Sequence, residues 1–423
     1  MAAASRLVSF AEKIIKPHRA TPLSLGRYNL SINDQIMVPF YQSIAAFYPN
    51  PSKTPEQVSS ILENSLSKVL SSYYPFAGTL RDNTFVDCND RGAKFMNVRY
   101  DCPMSEIAKL PDTGPEYLPF AKGIHNSLLL GDEDLLVVQL SHFNCGGLAI
   151  GTSILFYRKN DLSKRDDWAS IAREANIIPS PTMTGSSIFP PCTNLPSTDI
   201  YTNTIVNVPI ENIKKRYRFS NSKLEMLKSQ VTSEAEVQNP SRVDVLSALI
   251  YKCAVTAARA QANSFKPSML TLAVNLRPIL DPPLATRAIG NMVSFIKVET
   301  TSVDEITIAG VVRELRKAKD EFKKEDHVNA NKLVALHSEN LPISNEFETY
   351  RSHSMCNFPL NNLDFGWGKP NKVTIPPIGV GFCFILMDSP SGDGIEAIVA
   401  VPETYVTQFE NNKELLQFAT PIN

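Results

Sequence analysis

His142 and Cys145 lie close together at the end of an apolar run, and they could form a cysteine–histidine nucleophile. That chemistry requires the thiolate to lie within hydrogen-bond reach of the imidazole. On an extended strand the two side chains point to opposite faces, which disfavours both the catalytic pair and a shared metal site. We therefore expect His142 to be a core histidine, with a role as general base as the alternative.

A second candidate pair, Tyr157 and Asp161, lies in the polar string YRKND that ends the next apolar run. A tyrosine could orient a substrate or donate a proton, but its ordinary pKa of about 10 makes it a poor base at neutral pH. Asp161 could act as a base only if it were buried. The charged neighbours favour a solvated turn, which is the structural alternative to catalysis for this pair.

Two apolar runs, residues 135–140 and 148–156, surround these candidates and are typical of strands. The string CGG at 145–147 interrupts them. A glycine pair inside a strand pattern indicates a bulge, a sharp bend or a close backbone approach. Earlier in the chain, TPEQ at 54–57 predicts a helix start, because it combines a capping box with Pro at the first helical position.

Further elements follow from periodicity and from turn residues. Strands are expected at 14–17, 84–87, 93–100, 203–208, 269–274, 382–387 and 395–401, the first at a sheet edge and the last two joined by a hairpin. Helices are expected at 161–175, 221–231, 241–260, from 302 onward and at 402–418. Each half of the chain mixes predicted strands and helices similarly, and no internal repeat is evident.

The string 134–161 resembles the central strand pair of the BAHD acyl-CoA-dependent acyltransferases. In those enzymes a CGG-x-A-[IV] strand leads into Ser-His-x-x-x-Asp, in which the histidine is the general base. Counting forward from Cys145 places Phe156 at the histidine position and Asn160 at the aspartate position. Counting back from Trp168 places the histidine nearer Ser153, so the segment is about three residues short. None of the six histidines is followed by aspartate four residues later.

A second family signature, DFGWG at 364–368, is intact. The resemblance implies that it lies away from the reacting atoms, with Asp364 paired to Arg277 of the N-x-R strand. This pairing is physically sound, because a buried carboxylate needs a partner and a guanidinium offers two donors. Gly366 and Gly368 permit backbone geometry that other residues avoid, and Trp367 lies between them. We expect these residues to hold the fold.

The resemblance also places Ser247, Asn275, Gly290 and Asn291 in segments that line the acyl-CoA channel of the family. Some members carry a basic residue where this chain has Ile279, which weakens the case for a phosphate contact there. Ordinary packing and turn chemistry are the alternative for all of these positions. Acyl-CoA, with acetyl-CoA as the expected form, is implied as a co-substrate, with no permanently bound cofactor and no metal.

A chain of 423 residues is longer than one typical core, so two domains are expected. Residues 178–202 are rich in Pro, Ser and Thr and form the best linker candidate. We predict an N-terminal domain at 1–177, this crossover linker, and a C-terminal domain at 203–423 that carries DFGWG. The resemblance implies an α/β fold of two similar-sized domains, each with a mixed sheet flanked by helices, and an interdomain channel as in chloramphenicol acetyltransferase.

The composition argues against several classes of function. A formal net charge of −1 gives no basic surface for nucleic acid. No apolar stretch reaches transmembrane length, and the N-terminus lacks the core of a signal peptide. The seven cysteines are widely spaced and odd in number, which suits free thiols in a reducing compartment. We expect a cytoplasmic monomer that binds a small-molecule acceptor and acyl-CoA.

Three functions fit these observations. The resemblance implies an acyl-CoA-dependent O-acyltransferase of plant specialised, alkaloid-type metabolism that lacks the usual base, which His142 or an amine of the substrate would replace. A lyase or cyclase that needs only shape and electrostatics is the second function. A non-catalytic ligand-binding relative is the third. Residues 152–167 differ from the family as a whole segment, which also fits an altered splice product or a gene-model artefact.

Overall fold

The computed structural model describes residues 7–36, 41–109, 134–155, 169, 181–191, 212–235, 237–284, 288–324, 347–375 and 381–422. The chain divides into two compact units. Unit 1 comprises Met1–Thr198, Leu280–Met292 and Pro359–Pro376, and unit 2 comprises Asp199–Ile279, Val293–Phe358 and Pro377–Asn423. Two segments from the second half of the chain therefore belong to unit 1, a feature that the contiguous division predicted from the sequence does not contain.

The strands of the described residues are, in chain order, β1 Leu7–Ile15, β2 Arg27–Asn29, β3 Tyr41–Tyr48, β4 Thr79–Arg81, β5 Phe85–Asp87, β6 Ala93–Tyr100, β7 Leu136–Phe143, β8 Leu148–Leu155, β9 Asn212–Ser220, β10 Ser268–Asn275, β11 Val293–Thr300, β12 Glu348–Ser354, β13 Lys372–Thr374, β14 Phe382–Asp388, β15 Gly394–Pro402 and β16 Thr420–Ile422. The α-helices are α1 Ile32–Gln35, α2 Pro55–Ser72, α3 Met104–Lys109, α4 Gly185–Ile188, α5 Asn221–Ala235, α6 Arg242–Ala262, α7 Ile308–Phe322, α8 Val406–Glu410 and α9 Lys413–Phe418. No helix of these described segments is both long and apolar enough to cross a bilayer.

Unit 1 is built on a six-stranded sheet in the order β1-β6-β7-β8-β3-β13, beside a small sheet of β2, β5 and β4. β6 and β7 run parallel, and the other neighbours in the large sheet are antiparallel. All residues of β3, β7 and β8 are buried, so these strands form the centre of the unit. β13 comes from the second half of the chain and pairs with β3 at the sheet edge.

The hairpin between β7 and β8 accounts for the glycine pair that interrupts the apolar pattern. The N–H of Phe143 donates to the Gly147 carbonyl at 3.0 Å, and the N–H of Gly146 donates to the Phe143 carbonyl at 3.0 Å. Gly146 has a φ of +83°, a conformation that glycine adopts without steric cost. The interruption is thus a sharp bend, one of the three geometries predicted for it.

Helix α2 begins as its sequence predicts. The Thr54 side chain accepts a hydrogen bond from the Gln57 N–H, the Gln57 side-chain oxygen accepts one from the Thr54 N–H, and Pro55 lies in the first turn. Val58 and Leu62 belong to its buried face, and burial of each such side chain stabilises the fold by about 1.5–3 kcal/mol. The predicted helix start is confirmed.

Unit 2 is built on a seven-stranded sheet in the order β11-β10-β12-β14-β15-β9-β16. β12 runs parallel to both β10 and β14, and the remaining neighbours are antiparallel. Helices α5, α6 and α7 pack on one another. α6 contacts the sheet through Tyr251, whose ring lies 5.2 Å from that of Tyr350 and whose hydroxyl hydrogen-bonds with Thr300 at 2.6 Å.

The helix predicted from residue 302 begins later than the sequence pattern indicates. Val303–Glu305 is a single 3-10 turn, and α7 starts only after Thr307, its N-cap. The Glu305 carboxylate accepts hydrogen bonds from the N–H groups of Thr301 at 2.7 Å and Ser302 at 3.1 Å. These bonds stabilise the separate turn before the helix.

The single helix predicted at 402–418 is wrong in extent: α8 and α9 are separate, and the strand β16 follows them. Asn412 caps α9 by accepting a hydrogen bond from the Leu415 N–H at 3.1 Å. Asparagine favours caps over helix interiors, which explains the break. The strand predicted at 203–208 and the helix predicted at 161–175, apart from residue 169, lie outside the described residues.

Candidate active-site residues

One face of the central sheet in unit 1 carries a row of buried polar side chains: Ser43, Gln139, Ser141 and Ser153. The hydroxyls of Ser43 and Ser153 lie 2.8 Å apart, and the Gln139 amide donates to the Ser141 hydroxyl at 3.0 Å. Gln139 also lies 3.4 Å from the Tyr100 hydroxyl. Polar residues at alternate positions of otherwise apolar strands were the available signal for this row, and only Ser153 was singled out from the sequence.

His142 lies on the opposite face of the same sheet. It is 7% exposed, and within the described residues its Nε2 atom has no hydrogen-bond partner. Its neighbour in the sheet register is Arg99 of β6, which donates to Glu56 in the first turn of α2 at 3.2 Å. Helix α2 therefore lies over the face that carries His142.

The environment of His142 opposes its protonation. Burial is the main cause, and the positive charge of Arg99 adds to it, while Glu56 acts in the opposite direction; together they lower the pKa of His142 to about 4. The imidazole is consequently neutral at pH 7 and is a weaker base than an ordinary histidine. Its buried position on the α2 side supports the structural interpretation over a catalytic one.

Cys145 lies in the exposed turn between β7 and β8, and its Sγ accepts a hydrogen bond from the Met104 N–H at 3.3 Å. His142 is buried in the strand before that turn, so the geometry does not form a cysteine–histidine pair. The candidates Tyr157 and Asp161 lie outside the described residues, as do Phe156 and Asn160 at the expected catalytic positions.

The DFGWG string forms a self-contained loop in unit 1. The Asp364 carboxylate accepts hydrogen bonds from the N–H groups of Gly366 at 2.8 Å and Gly368 at 3.0 Å. Both glycines have positive φ, +101° and +104°, so each occupies a conformation that other residues rarely adopt. Between them, Trp367 stacks on Phe365 with ring centroids 5.6 Å apart. The aspartate is thus the centre of the turn.

Tyr48 of β3 attaches this loop to the central sheet. Its hydroxyl donates to the Leu363 carbonyl at 2.6 Å, and its ring meets those of Phe365 and Trp367 edge-on, at 6.4 and 6.2 Å. Burial and the nearby Asp364 charge raise the pKa of Tyr48 well above its ordinary value. The phenol therefore stays protonated and keeps its hydrogen bond. The pairing of Asp364 with Arg277 stays a prediction.

Two of the four predicted acyl-CoA residues lie in unit 2. Ser247 is buried in α6, and its hydroxyl lies 3.0 Å from that of Ser352 on β12. Asn275 ends β10, and its side-chain oxygen accepts hydrogen bonds from the N–H and the guanidinium of Arg277, at 3.2 and 3.3 Å. Both contacts are packing and turn chemistry. Acyl-CoA contact by Ser247 and Asn275 stays a prediction.

The other two, Gly290 and Asn291, lie in the Leu280–Met292 segment of unit 1. The Asn291 N–H donates to the Asp34 carboxylate at 2.8 Å, and its side-chain amide donates to the Asn33 carbonyl at 2.7 Å. Gly290 has a φ of +131°, and a Cβ there would lie 3.0 Å from the Met292 side chain. The capping pattern of Ser31-x-x-Asp34 was the available sequence signal for Asp34.

Each of the two units contains a mixed sheet with helices packed on it, so the predicted α/β fold of two units is confirmed. A family model described as the Transferase family matches residues 7–416. The chain therefore belongs to this family, that of the BAHD transferases, as the resemblance indicated.

Curated relatives extend over nearly the whole chain. It is 38% identical to acylsugar acyltransferase 3 of Solanum lycopersicum over 99% of both chains. It is 37% identical to 17,18-epoxy-17-hydroxycur-19-ene N-malonyltransferase of Strychnos nux-vomica, over 97% of this chain and 90% of the relative. The crystal structure of vinorine synthase is similar with a TM-score of 0.84 and 29% identity, over 97% of this chain and 98% of that one.

Proposed function

We propose that the chain is an acyl-CoA-dependent O-acyltransferase of plant specialised metabolism that works without the family's His-x-x-x-Asp pair. The observation that carries this proposal is the full-length similarity to proteins named as acyltransferases, at 38% and 37% identity. The DFGWG loop, which is ordered by hydrogen bonds from Gly366 and Gly368 to Asp364 and from Tyr48 to Leu363, supports an intact scaffold that all three candidate functions share.

In the proposed reaction an acceptor oxygen attacks the thioester carbonyl. A C–O bond forms, the C–S bond breaks, and the departing CoA thiolate takes up a proton. A positioned general base contributes a factor of about 10²–10⁴ to such a step. His142 is a weak base for it, since burial and Arg99 lower its pKa to about 4. We therefore propose slow transfer that depends on positioning, with His142 or an acceptor amine receiving the proton.

The substrates are proposed from the relatives' names. One relative is an acylsugar acyltransferase and another an N-malonyltransferase, so acceptors and acyl groups vary among these proteins. We propose acetyl-CoA as the donor and an alkaloid-type acceptor. We also propose a cytoplasmic monomer, and the six free thiols among the described cysteines are consistent with a reducing compartment.

Loss of catalysis with retained binding is the competing function, and the absence of any His-x-x-x-Asp string favours it. The discriminating experiment is calorimetric titration of the purified chain with CoA and acetyl-CoA. The same sample is then tested for CoA release, measured by chromatography, in the presence of hydroxylated indole alkaloids. The matched variants are Asp161→Asn and His142→Phe.

Binding with CoA release supports the acyltransferase, and a lower rate of release in His142→Phe or in Asp161→Asn identifies the side chain that acts as the base. Binding without release points to a ligand-binding relative. Conversion of the alkaloid without loss of the acyl group points to a lyase or cyclase. Absence of CoA binding overturns the proposed use of acyl-CoA.

A further inference from the structure

Asp34 is a buried carboxylate that neither the predicted catalytic positions nor the DFGWG loop uses. It is 0% exposed. One of its oxygens accepts from the N–H of Ser31 at 2.9 Å and from the Ser31 hydroxyl at 2.7 Å, and the other accepts from the N–H of Asn291 at 2.8 Å. These three hydrogen bonds tie the side chain of Asp34 to two backbone segments, at Ser31 and at Asn291.

Asp34 holds a segment that crosses from unit 2 into unit 1 and returns. β10 ends at Asn275 in unit 2, residues Leu280–Met292 belong to unit 1, and β11 resumes unit 2 at Val293. Asn291 is therefore the second-last residue of this unit 1 segment, just before the point where the chain returns to unit 2.

Two further segments pack closely against residues 289–291, which we call the junction, and restrict their movement. The Ile289 N–H donates to the Thr182 carbonyl at 2.8 Å. A Cβ at Gly185 would lie 3.1 Å from the Ile289 carbonyl oxygen and 3.2 Å from the Tyr28 hydroxyl. Because protein interiors are close-packed, displacement of residues 289–291 requires displacement of these neighbours as well.

Gly290 has the unusual backbone conformation of this segment, because its φ of +131° is one that other residues rarely adopt. The Asn291 side chain is a limited second anchor: its Nδ2 donates to the Asn33 carbonyl, while its Oδ1 has no partner in the part of the chain that the structure describes. The Asp34 carboxylate thus holds the backbone N–H that directly follows Gly290.

We propose that Asp34 is a positioning residue for acyl-CoA binding. By holding the Asn291 N–H it fixes the conformation of Gly290 and Asn291, two of the residues predicted to line the acyl-CoA channel. This inference rests on the proposed function. Asp34 itself does not contact the substrate; its effect is on affinity for CoA rather than on the rate of transfer from bound acyl-CoA.

The test is Asp34→Asn, which keeps the size of the side chain but replaces one acceptor oxygen by a donor. We expect the Kd for CoA, measured by titration, to rise at least about tenfold. Hydrogen exchange of residues 288–292 should become faster. The rate of CoA release at saturating acetyl-CoA should change less than the Kd.

Two variants are the matched controls. Asp134→Asn alters another buried carboxylate of unit 1, which lies 3.3 Å from the Lys94 ammonium, and it should leave CoA affinity unchanged. Ser31→Ala removes the hydroxyl contact with Asp34 but retains the hydrogen bond to Asn291, so it should bind CoA as the unmodified chain does. If Asp34 had a purely structural role, all three variants would have the same affinity for CoA.

Unchanged CoA affinity in Asp34→Asn, with faster exchange at 288–292, overturns the positioning role and leaves the proposed function intact. Absence of CoA binding by the unmodified chain overturns both. If Asp34→Asn does not fold, Gly290→Ala strains the same turn, and Gly392→Ala strains a hairpin turn of unit 2 at a φ of +73°. Equal CoA affinity in these two variants then overturns the proposal.

Discussion

Folding makes protonation of His142 less favourable. The free energy of unfolding should therefore depend on pH through this residue. Its pKa is about 4 in the fold, against an ordinary value of about 6.5 in the unfolded chain. Below about pH 6.5 the unfolded chain takes up a proton that the folded chain does not. Stability from this residue is therefore complete above that pH and is lost as the pH falls toward 4.

We expect the free energy of unfolding to fall between pH 7.5 and 4.5, with about 1–2 kcal/mol of the loss due to His142 once solvent screening is allowed for. Denaturant unfolding of the unmodified chain and of His142→Phe at both pH values measures this share. The phenylalanine variant should show the shallower pH dependence. Parallel pH profiles for the two proteins would contradict the assignment.

At the scale of single residues, the sequence predicts the role of a residue only where local chemistry determines that role. His142 is buried in β7, as expected of a core histidine, whereas Cys145 lies in the exposed turn after β7 and not on the opposite face of an extended strand. Asp34 could not be recognised in this way, because its partner Asn291 is distant in the chain and no local pattern connects them. The buried hydroxyl pair of Ser43 and Ser153 is equally non-local.

The start of helix α2 is held by reciprocal hydrogen bonds that can be tested at the scale of the element. Thr54→Ala removes the acceptor for the Gln57 N–H, at 3.3 Å, and should lower the free energy of unfolding by about 1 kcal/mol. Thr54→Ser keeps the oxygen and is the control. Denaturant unfolding is the measurement, and equal stability of the alanine and serine variants would show that the cap does not contribute.

The DFGWG loop gives a second prediction at this scale. Asp364→Ala leaves the N–H groups of Gly366 and Gly368 without their acceptor, which should cost about 2 kcal/mol of stability. CoA affinity should change little, because the loop is proposed to be structural. Thermal unfolding and CoA titration of the same sample measure both quantities.

Asp364→Asn is the matched variant, since it keeps one side-chain oxygen as an acceptor for the glycine N–H groups. It should recover much of the stability that the alanine variant loses. Normal thermal stability of Asp364→Ala would count against the structural role of the loop.

Elements with strong local signals were predictable, and the breaks between elements were not. The α2 start and the turn at Gly392 follow from capping and turn residues. The separation of α8 from α9 depends on Asn412, whose preference for a cap outweighs an otherwise continuous helical pattern. Strand β16 depends on pairing with β9, and its sequence of three residues carries too little pattern to reveal that pairing.

At the scale of the whole chain, the least predictable feature is that two segments from the second half of the chain belong to unit 1. β13 is a three-residue strand from the second half of the chain, and it pairs with β3 near the start of the chain. Hydrophobic patterning predicts strands but not their partners, so composition favoured a contiguous division at residues 177 and 203. The presence of two α/β units could be predicted from the chain length and the family resemblance, because both are properties of the whole chain.

Restoration of the missing base tests the proposed function of the whole chain. β8 ends at Leu155, whose N–H donates to the Leu135 carbonyl at 3.0 Å, so the strand supplies a defined end on which to graft a new segment. Phe156→His alone should help little, because Asn160 cannot supply the carboxylate that the family has there and because the segment is short. The graft replaces residues 155–164 with a Ser-His-x-x-x-Asp segment of family length.

We expect this graft to raise the rate of acetyl transfer by about 10²–10⁴, the usual contribution of a positioned general base. The matched control is the same graft with alanine at the histidine position, which separates the effect of the base from that of the restored length. A folded graft that binds CoA and gains nothing over this control would show that the rest of the pocket no longer supports transfer. Rapid acetyl transfer by the unmodified chain would mean that another group is the working base. His142 is then the first residue to replace, because its Nε2 is neutral, has no hydrogen-bond partner among the described residues and could accept a proton despite the lowered pKa.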